Sequence, residues 1–353
     1  LISQYPAILV TRLDSSGPGE PSKARAAFNT PRVVGNLAQM YRIPIFKALS
    51  QQETFCAWRG RQAVRFAMTR LFEEFPGRDI ISMDYSGFDA SVSQPIMLHV
   101  FGQWMSVFPK PCRGLLEWLM LEFMLESVWT PTGLRTGRCK GLTSGSPFTN
   151  LMGSCVNYWA AHYAAAKLGT TVDAMLVNGD DGVLVLHHHS AHPCSGGGNM
   201  SVEFSRVLKE DLGLTLNIEK GHVADNEAVF LQDTYRRSYY KNGLLGAVRP
   251  LNRVLRKALG YERYRVGWSA ACDSLRWLQQ WDALQDHPCF PAACDWLWEH
   301  DSVLREAGAI QPLIDKAGGY TKASQLLDEP NSTKVTIGNL RWSAVAKCLS
   351  LNS

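Results

Sequence analysis

The chain lacks the paired cysteine spacing of a disulfide framework. Its nine cysteines are scattered singly, which fits a reducing compartment and predicts no bridge. It also lacks a long apolar run. The longest stretch free of Asp, Glu, Lys and Arg, residues 141–166, carries Ser, Thr, Asn and Pro through its first half and reads as a loop entering a buried helix, not as a membrane span. No secretory leader is visible, and because the sequence starts at Leu1 a fragment lacking the true amino terminus is expected. Net charge is small, +4, so a case for nucleic acid rests on local clusters instead: Arg59, Arg61, Arg65 and Arg70, then Arg135, Arg138 and Lys140, then Arg249, Arg253, Arg256 and Lys257. His187, His188, His189, His192 and Cys194 lead straight into a Gly-rich stretch and read as an exposed loop, not a zinc site. With 353 residues, 46% of them apolar, the chain can bury more than one core and reads as a soluble protein of several subdomains.

What is present is acidic and sharply placed. The run Asp79 to Met83 is apolar after its first residue and ends at Asp84, so it reads as a buried strand whose last residue emerges at a sheet edge. Ala174 to Val177 and Gly182 to Leu186 are β-prone runs flanking Asn178-Gly179-Asp180-Asp181, a hairpin that presents two carboxylates at its tip. Between them, Ser144-Gly145-Ser146-Pro147 cannot start a regular element before Pro147, whereas Phe148 to Lys167 reads as a helix. Amides at such a helix entrance attract phosphate or hydroxyl groups. If the two strands are neighbours, Asp84 and Asp180 share one site. Carboxylates that close stay ionised only with cations between them, and hard oxygen donors select Mg²⁺, with Mn²⁺ as a substitute. Two such ions, roughly 3.5 to 4 Å apart, suit in-line phosphoryl displacement.

The constellation resembles the palm motifs A, B and C of viral RNA-dependent RNA polymerases. It is most similar to the picobirnavirus and partitivirus group of double-stranded RNA viruses. Motif A corresponds to Asp84 through Asp89, motif B to Ser144-Gly145-Ser146 with Thr149, Ser154 and Asn157, and motif C to Gly179-Asp180-Asp181. Pro31-Arg32-Val33-Val34-Gly35 resembles finger motif F, 216–220 motif D, 229–232 motif E, and 248–253 the segment that opens the thumb.

This resemblance implies roles for named residues. Asp84, Asp180 and Asp181 would be metal ligands, with Asp181 auxiliary, and Lys220 a general acid toward the leaving pyrophosphate. Asp89 would accept a hydrogen bond from the ribose 2′-hydroxyl; alternatively it caps the next helix. Ser144, Gly145, Thr149 and Asn150 would line the nucleotide site, and Arg32, Lys23 and Arg25 would meet the triphosphate. The family pattern usually has Asn or Asp where this chain has Gly153, so Asn150 or Asn157 would have to stand in.

The implied fold is α+β: a right-hand polymerase with fingers, palm and thumb and an antiparallel palm sheet flanked by helices. Residues 1–75 would form part of the fingers and 76–240 the palm, with a helical insertion at about 93–140. The thumb would follow, mainly helical, over 241–353. Helices are predicted near 54–75, 95–108, 112–128 and 200–212, with a strand at 214–218, a Thr132-Gly133 turn and an Asn242-Gly243 hairpin. The spacings of Trp268, Trp277, Trp281, Trp296 and Trp298 suit helix packing better than base stacking. The implied activity is RNA-directed RNA synthesis from ribonucleoside triphosphates. The implied partners are template and nascent RNA and a viral capsid protein, in the virion interior or host cytoplasm. Two alternatives are a reverse transcriptase sharing the palm and a non-catalytic RNA-binding protein that has kept the fold. Asp89 and Gly179 argue against the first, and the full set of three aspartates against the second.

Overall fold

The computed structural model describes residues 6–14, 23–187, 197–217, 222–259, 268–307, 310–319 and 321–323. The chain divides into two compact units. One comprises Leu1–Arg12, Arg25–Leu231 and Tyr235–Ser238, and the other Leu13–Ala24, Gln232–Thr234 and Tyr239–Ser353.

The first unit opens with strands β1 (Ala7–Asp14) and β2 (Lys23–Asn29), then helix α1 (Arg32–Leu49). The predicted helix at 54–75 is two elements, a 3₁₀ helix at Glu53–Arg59 and α2 (Arg61–Glu74). Gly60 separates them with φ +100°, a conformation outside the right-handed helical region. Strand β3 (Ile80–Met83) has every residue buried, as expected of a strand covered on both faces. After it come α3 (Phe88–Ser91), α4 (Gln94–Val107) and α5 (Lys110–Leu125). Both α4 and α5 start with proline in the first turn, where its missing N–H costs nothing. The hairpin of β4 (Val128–Thr130) and β5 (Gly133–Arg135) turns at Pro131-Thr132, one residue earlier than the Thr132-Gly133 prediction, and Gly133 already belongs to the strand. With β1 and β2 it forms a four-stranded sheet in the order β2-β1-β4-β5.

Helix α6 (Thr149–Lys167) begins two residues after Pro147 and buries Ala160, Ala161, Ala164 and Ala165. Strands β6 (Val172–Asn178) and β7 (Asp181–Leu186) follow as the expected hairpin, then α7 (Gly197–Leu212), stopped at Gly213 with φ +69°. Of the strand expected at 214–218, residues 214–217 are described, and they contribute an isolated bridge, Leu216 to Tyr85. Strands β8 (His222–Ala224) and β9 (Glu227–Phe230) come next. The second sheet has the order β6-β7-β3-β8, with every neighbouring pair antiparallel. Ile81, Met83, Val177 and Leu184 of this sheet share one core with α1, α4, α5, α6 and α7. Its burial excludes water from the backbone ladder beneath the tip of the β6–β7 hairpin.

Strand β10 (Asp233–Arg236) pairs with β9 through a turn at Leu231 and Gln232, which both hold positive φ, +52° and +70°. In the second unit, β11 (Tyr240–Lys241) and β12 (Leu244–Leu245) close over Asn242-Gly243, both left-handed as a type I′ hairpin turn requires. Helices α8 (Leu251–Leu259), α9 (Ala270–Asp282), α10 (Phe290–His300), α11 (Ser302–Ala307) and α12 (Ile310–Lys316) share a separate core around Leu275, Leu278, Trp281 and Leu313. Trp281 is buried and its indole N–H donates to the Ala293 carbonyl at 2.7 Å, while Trp268, Trp277 and Trp298 pack against the same core. These tryptophans do pack helices. Trp296 stacks on Trp281 but stays 44% exposed.

Candidate active site

Asp84 is the first residue beyond β3. Because Met83 pairs with Gly182 in the antiparallel β3–β7 ladder, the next step along that register sets Asp84 across from Asp181. Its backbone is fixed: the Asp84 carbonyl accepts from the Asn217 N–H at 2.7 Å, and the Ser86 N–H donates to the Thr215 carbonyl at 2.8 Å. Asn178 pairs with Asp181, so the β6–β7 turn is Gly179-Asp180, with Gly179 at φ +65°. All three aspartates therefore lie at one end of one sheet.

Helix α6 holds the turn from below. Ser154 Oγ accepts from the Gly179 N–H at 2.7 Å and donates to the Asn150 carbonyl at 2.8 Å. The buried Asn157 amide donates to the carbonyls of Gly179 and Asp180, at 3.1 and 3.2 Å, and its oxygen accepts from the Tyr85 hydroxyl at 3.1 Å. Burial, reinforced by the charge of Asp180, pushes the Tyr85 phenol well above its ordinary pKa, so it stays a donor. Asn157 thus links the residue after Asp84 to the Asp180 turn.

Asp89 sits inside the first turn of α3. Its helix cap is Gly87, so the capping alternative does not hold. Ser144 Oγ donates to Asp89 Oδ2 at 2.5 Å, joining motif A to the loop before α6. Crowding by neighbouring atoms raises the Asp89 pKa, and the Ser144 hydrogen bond opposes that rise. The loop is tightly set. The Thr149 hydroxyl donates to the Thr143 carbonyl, and the Phe28 N–H donates to the Ser144 carbonyl at 2.6 Å. At Gly145, with φ +123°, a Cβ would lie 2.0 Å from the Phe28 oxygen, so only glycine lets β2 cross here.

Neither asparagine expected to stand in at Gly153 is uncommitted. Asn157 serves the turn, and Asn150 donates to Asn178 Oδ1 at 3.1 Å while accepting from Trp58 Nε1 at 2.9 Å. A Cβ on Gly153 would rest 3.5 Å from the Gly179 Cα, so a longer side chain there would press on the hairpin backbone. Trp58 went unforeseen. Its partners Asn150 and Asn178 lie 92 and 120 residues away, and nothing local in 53–59 signals them.

Four residues of the arginine clusters are tied to partners or buried within the fold. Arg65 is buried, and Arg70 pairs with Glu53 and Glu74. Arg138 donates to the Phe123 carbonyl at 2.6 Å and to Thr143 Oγ1 at 2.8 Å, and Arg249 pairs with Asp233 at 2.8 Å. Arg59, Arg135, Lys140 and Arg253 of the same clusters stay exposed. Arg32 is the partly exposed first residue of α1. Lys23 and Arg25 lie on β2, where only the backbone is described, and Lys220 falls outside the described residues. His187 pairs with Asp173 at 3.0 Å, and the remaining residues of the histidine run are outside the described ones.

Among the described residues no three His, Cys, Asp or Glu side chains stand close enough to enclose a metal ion. Ionised carboxylates at one sheet end repel, and that disfavours convergence without a cation. The donor set is nonetheless of the hard-oxygen type that suits Mg²⁺, and the register makes its members neighbours. No helix among the described residues is long and apolar enough to cross a membrane.

The sequence profile of the viral RNA-dependent RNA polymerase family matches residues 20–254. The chain belongs to this family. A potential RNA-dependent RNA polymerase of human picobirnavirus, strain Human/Thailand/Hy005102, is 25% identical over 339 residues, covering 92% of this chain and 60% of the relative. The crystal structure of a human picobirnavirus RNA-dependent RNA polymerase superposes with a TM-score of 0.80 at 23% identity, over 98% of this chain and 65% of that one. The BmCPV RNA-dependent RNA polymerase in its elongation state gives 0.56 at 14% identity, over 84% of this chain and 26% of that one. This family member therefore has the α+β right-hand polymerase fold, with its antiparallel sheet flanked by helices. It spans less than two thirds of the length of the picobirnavirus relatives it matches.

Proposed function

We propose that this chain is the catalytic part of an RNA-directed RNA polymerase that extends an RNA strand on an RNA template from ribonucleoside triphosphates and releases pyrophosphate. The observation that supports it most is the β3–β7 register, which makes Asp84 a neighbour of the Asp180-Asp181 turn. In this reading Asp84, Asp180 and Asp181 hold two Mg²⁺ ions, replaceable by Mn²⁺. When bound, these ions would lower the cost of the charge that develops on the attacking and leaving oxygens. The protein's own contribution is positional. Asn157 and Ser154 hold the turn backbone, Asp89 with Ser144 receives the ribose hydroxyl, and Gly145 and Thr149 shape the loop beneath the sugar. Arg32, with Lys23 and Arg25, receives the triphosphate, and Lys220 supplies the proton to pyrophosphate.

Residues 1–75 then contribute fingers, 76–240 the palm with its helical insertion at about 93–140, and 241–353 the thumb. The partners are template and nascent RNA, with a capsid protein where synthesis runs inside a particle. A Mg²⁺-dependent extension assay on homopolymeric RNA tests the reading. Asp180→Ala should reduce incorporation by about three orders of magnitude or more, since it removes a metal ligand. Equal incorporation by variant and parent would defeat it, and a preference for deoxyribonucleotides would make the enzyme a reverse transcriptase instead.

A further inference from the structure

Trp58 belongs to the 3₁₀ helix, outside every catalytic motif, yet its indole is stacked against two other rings and hydrogen-bonded along its edge. The Phe46 ring of α1 stacks on it at 4.5 Å and 25°, and the Phe55 ring at 5.0 Å and 17°. The Arg42 guanidinium lies over Phe46 at 4.6 Å and extends the stack. From this slab the indole N–H reaches two acceptors at once, Asn150 Oδ1 at 2.9 Å and Asn178 Oδ1 at 3.1 Å. Asn150 Nδ2 closes the triangle on Asn178 Oδ1 at 3.1 Å.

Asn178 is the last residue of β6 and pairs with Asp181, while Asn150 lies in the first turn of α6, and its carbonyl is held by the Ser154 hydroxyl that also receives the Gly179 N–H. An aromatic ring wedged between two others has little rotational freedom, and its single N–H points one way only. Asn178, by contrast, is an amide with rotatable bonds at the strand end, paired with Asp181 across the two-residue Gly179-Asp180 turn. A donor that cannot move makes its acceptor stationary.

We infer that Trp58 is a positioning residue for the Asp180-Asp181 turn, locking Asn178 and Asn150 so that the two carboxylates meet divalent ions in one arrangement. The inference rests on the proposed function, but its central readout is metal binding, which needs no turnover. Trp58→Phe keeps an aromatic ring for the stack and deletes the N–H; Asn178→Ala deletes the acceptor and leaves the aromatics untouched. Loss of one such hydrogen bond should weaken Mn²⁺ binding, read from the EPR signal of free Mn²⁺, by about three- to tenfold in either variant. The double variant should lose no more than the worse single one, because both remove the same link. Turnover should fall with little change in nucleotide KM, and thermal unfolding should stay near that of the parent.

Parental Mn²⁺ affinity in Trp58→Phe would overturn the inference, and so would independent, multiplying losses in the double variant. If the parent binds Mn²⁺ but extends no RNA, the polymerase reading fails; weakened binding in the variants would still uphold the role of Trp58. Should Trp58→Phe unfold, Asn178→Ala alone decides, with unchanged Mn²⁺ affinity counting against the role.

Discussion

At Asp89 two opposing influences meet on one carboxyl group. Crowding by neighbouring protein atoms raises its pKa above the ordinary 3.8, although the residue keeps exposed surface, and the Ser144 hydroxyl pulls it back. The ionised form is the better acceptor for a ribose hydroxyl, and removing a donor to that form disfavours it. In Ser144→Ala the acidic limb of the incorporation-versus-pH profile should therefore move to higher pH, and preference for ribo- over deoxyribonucleotides should narrow. A profile and a preference matching the parent would contradict this role. The pairing of Asp89 with the Ser144 loop was legible in the sequence as a shared nucleotide site. The hydrogen bond itself was not, because spacing says which residues share a site and not which atoms meet. The same limit hid Trp58, whereas Asp84, Asp180 and Asp181 stood out because turn chemistry and strand ends are local properties.

Glu122 in the last turn of α5 and Glu126, its C-cap, are four residues apart, both buried, and both face a recess that Ser146 and Phe148 of the motif B region also line. Burial lifts the Glu126 pKa to about 7; Arg138 lowers it and Glu122 raises it further. Below the ordinary 4.5, folded and unfolded chains both carry the proton. Between there and about 7 the folded chain keeps a proton that the unfolded chain gives up, so stability falls as pH rises through that window, by up to about 3 kcal/mol. Glu126→Gln should flatten that slope in denaturant unfolding measured across the window. An undiminished slope would assign the pH dependence to other groups. Periodicity made α5 legible as a helix, but burial of two glutamates runs against the usual place of that residue and could not be read from pattern. The 54–75 stretch erred the other way: its helical pattern runs through Gly60, whose left-handed backbone makes the break. The β9–β10 turn also departs from pattern. Leu231 and Gln232 hold positive φ where Asn-Gly is usual, a local strain of a kind found at functional sites.

For the molecule as a whole, the described residues hold two separate cores. One lies around the β6-β7-β3-β8 sheet, and the other is assembled by the tryptophan-bearing helices after residue 250. The division fits a chain long enough to bury more than one core. The α+β class followed from the resemblance that the palm motifs carry; the parallel pairing of β1 with β4, across more than 100 residues, did not, because nothing local encodes so distant a partner. The first core brings one strand end and one hairpin tip together, and with them the three aspartates. Anomalous diffraction from crystals soaked in Mn²⁺ with a ribonucleoside triphosphate tests this most directly. Two peaks are expected, roughly 4 Å apart, at the carboxylates of Asp84, Asp180 and Asp181. Manganese bound elsewhere, or an empty sheet end at saturating Mn²⁺, would contradict it.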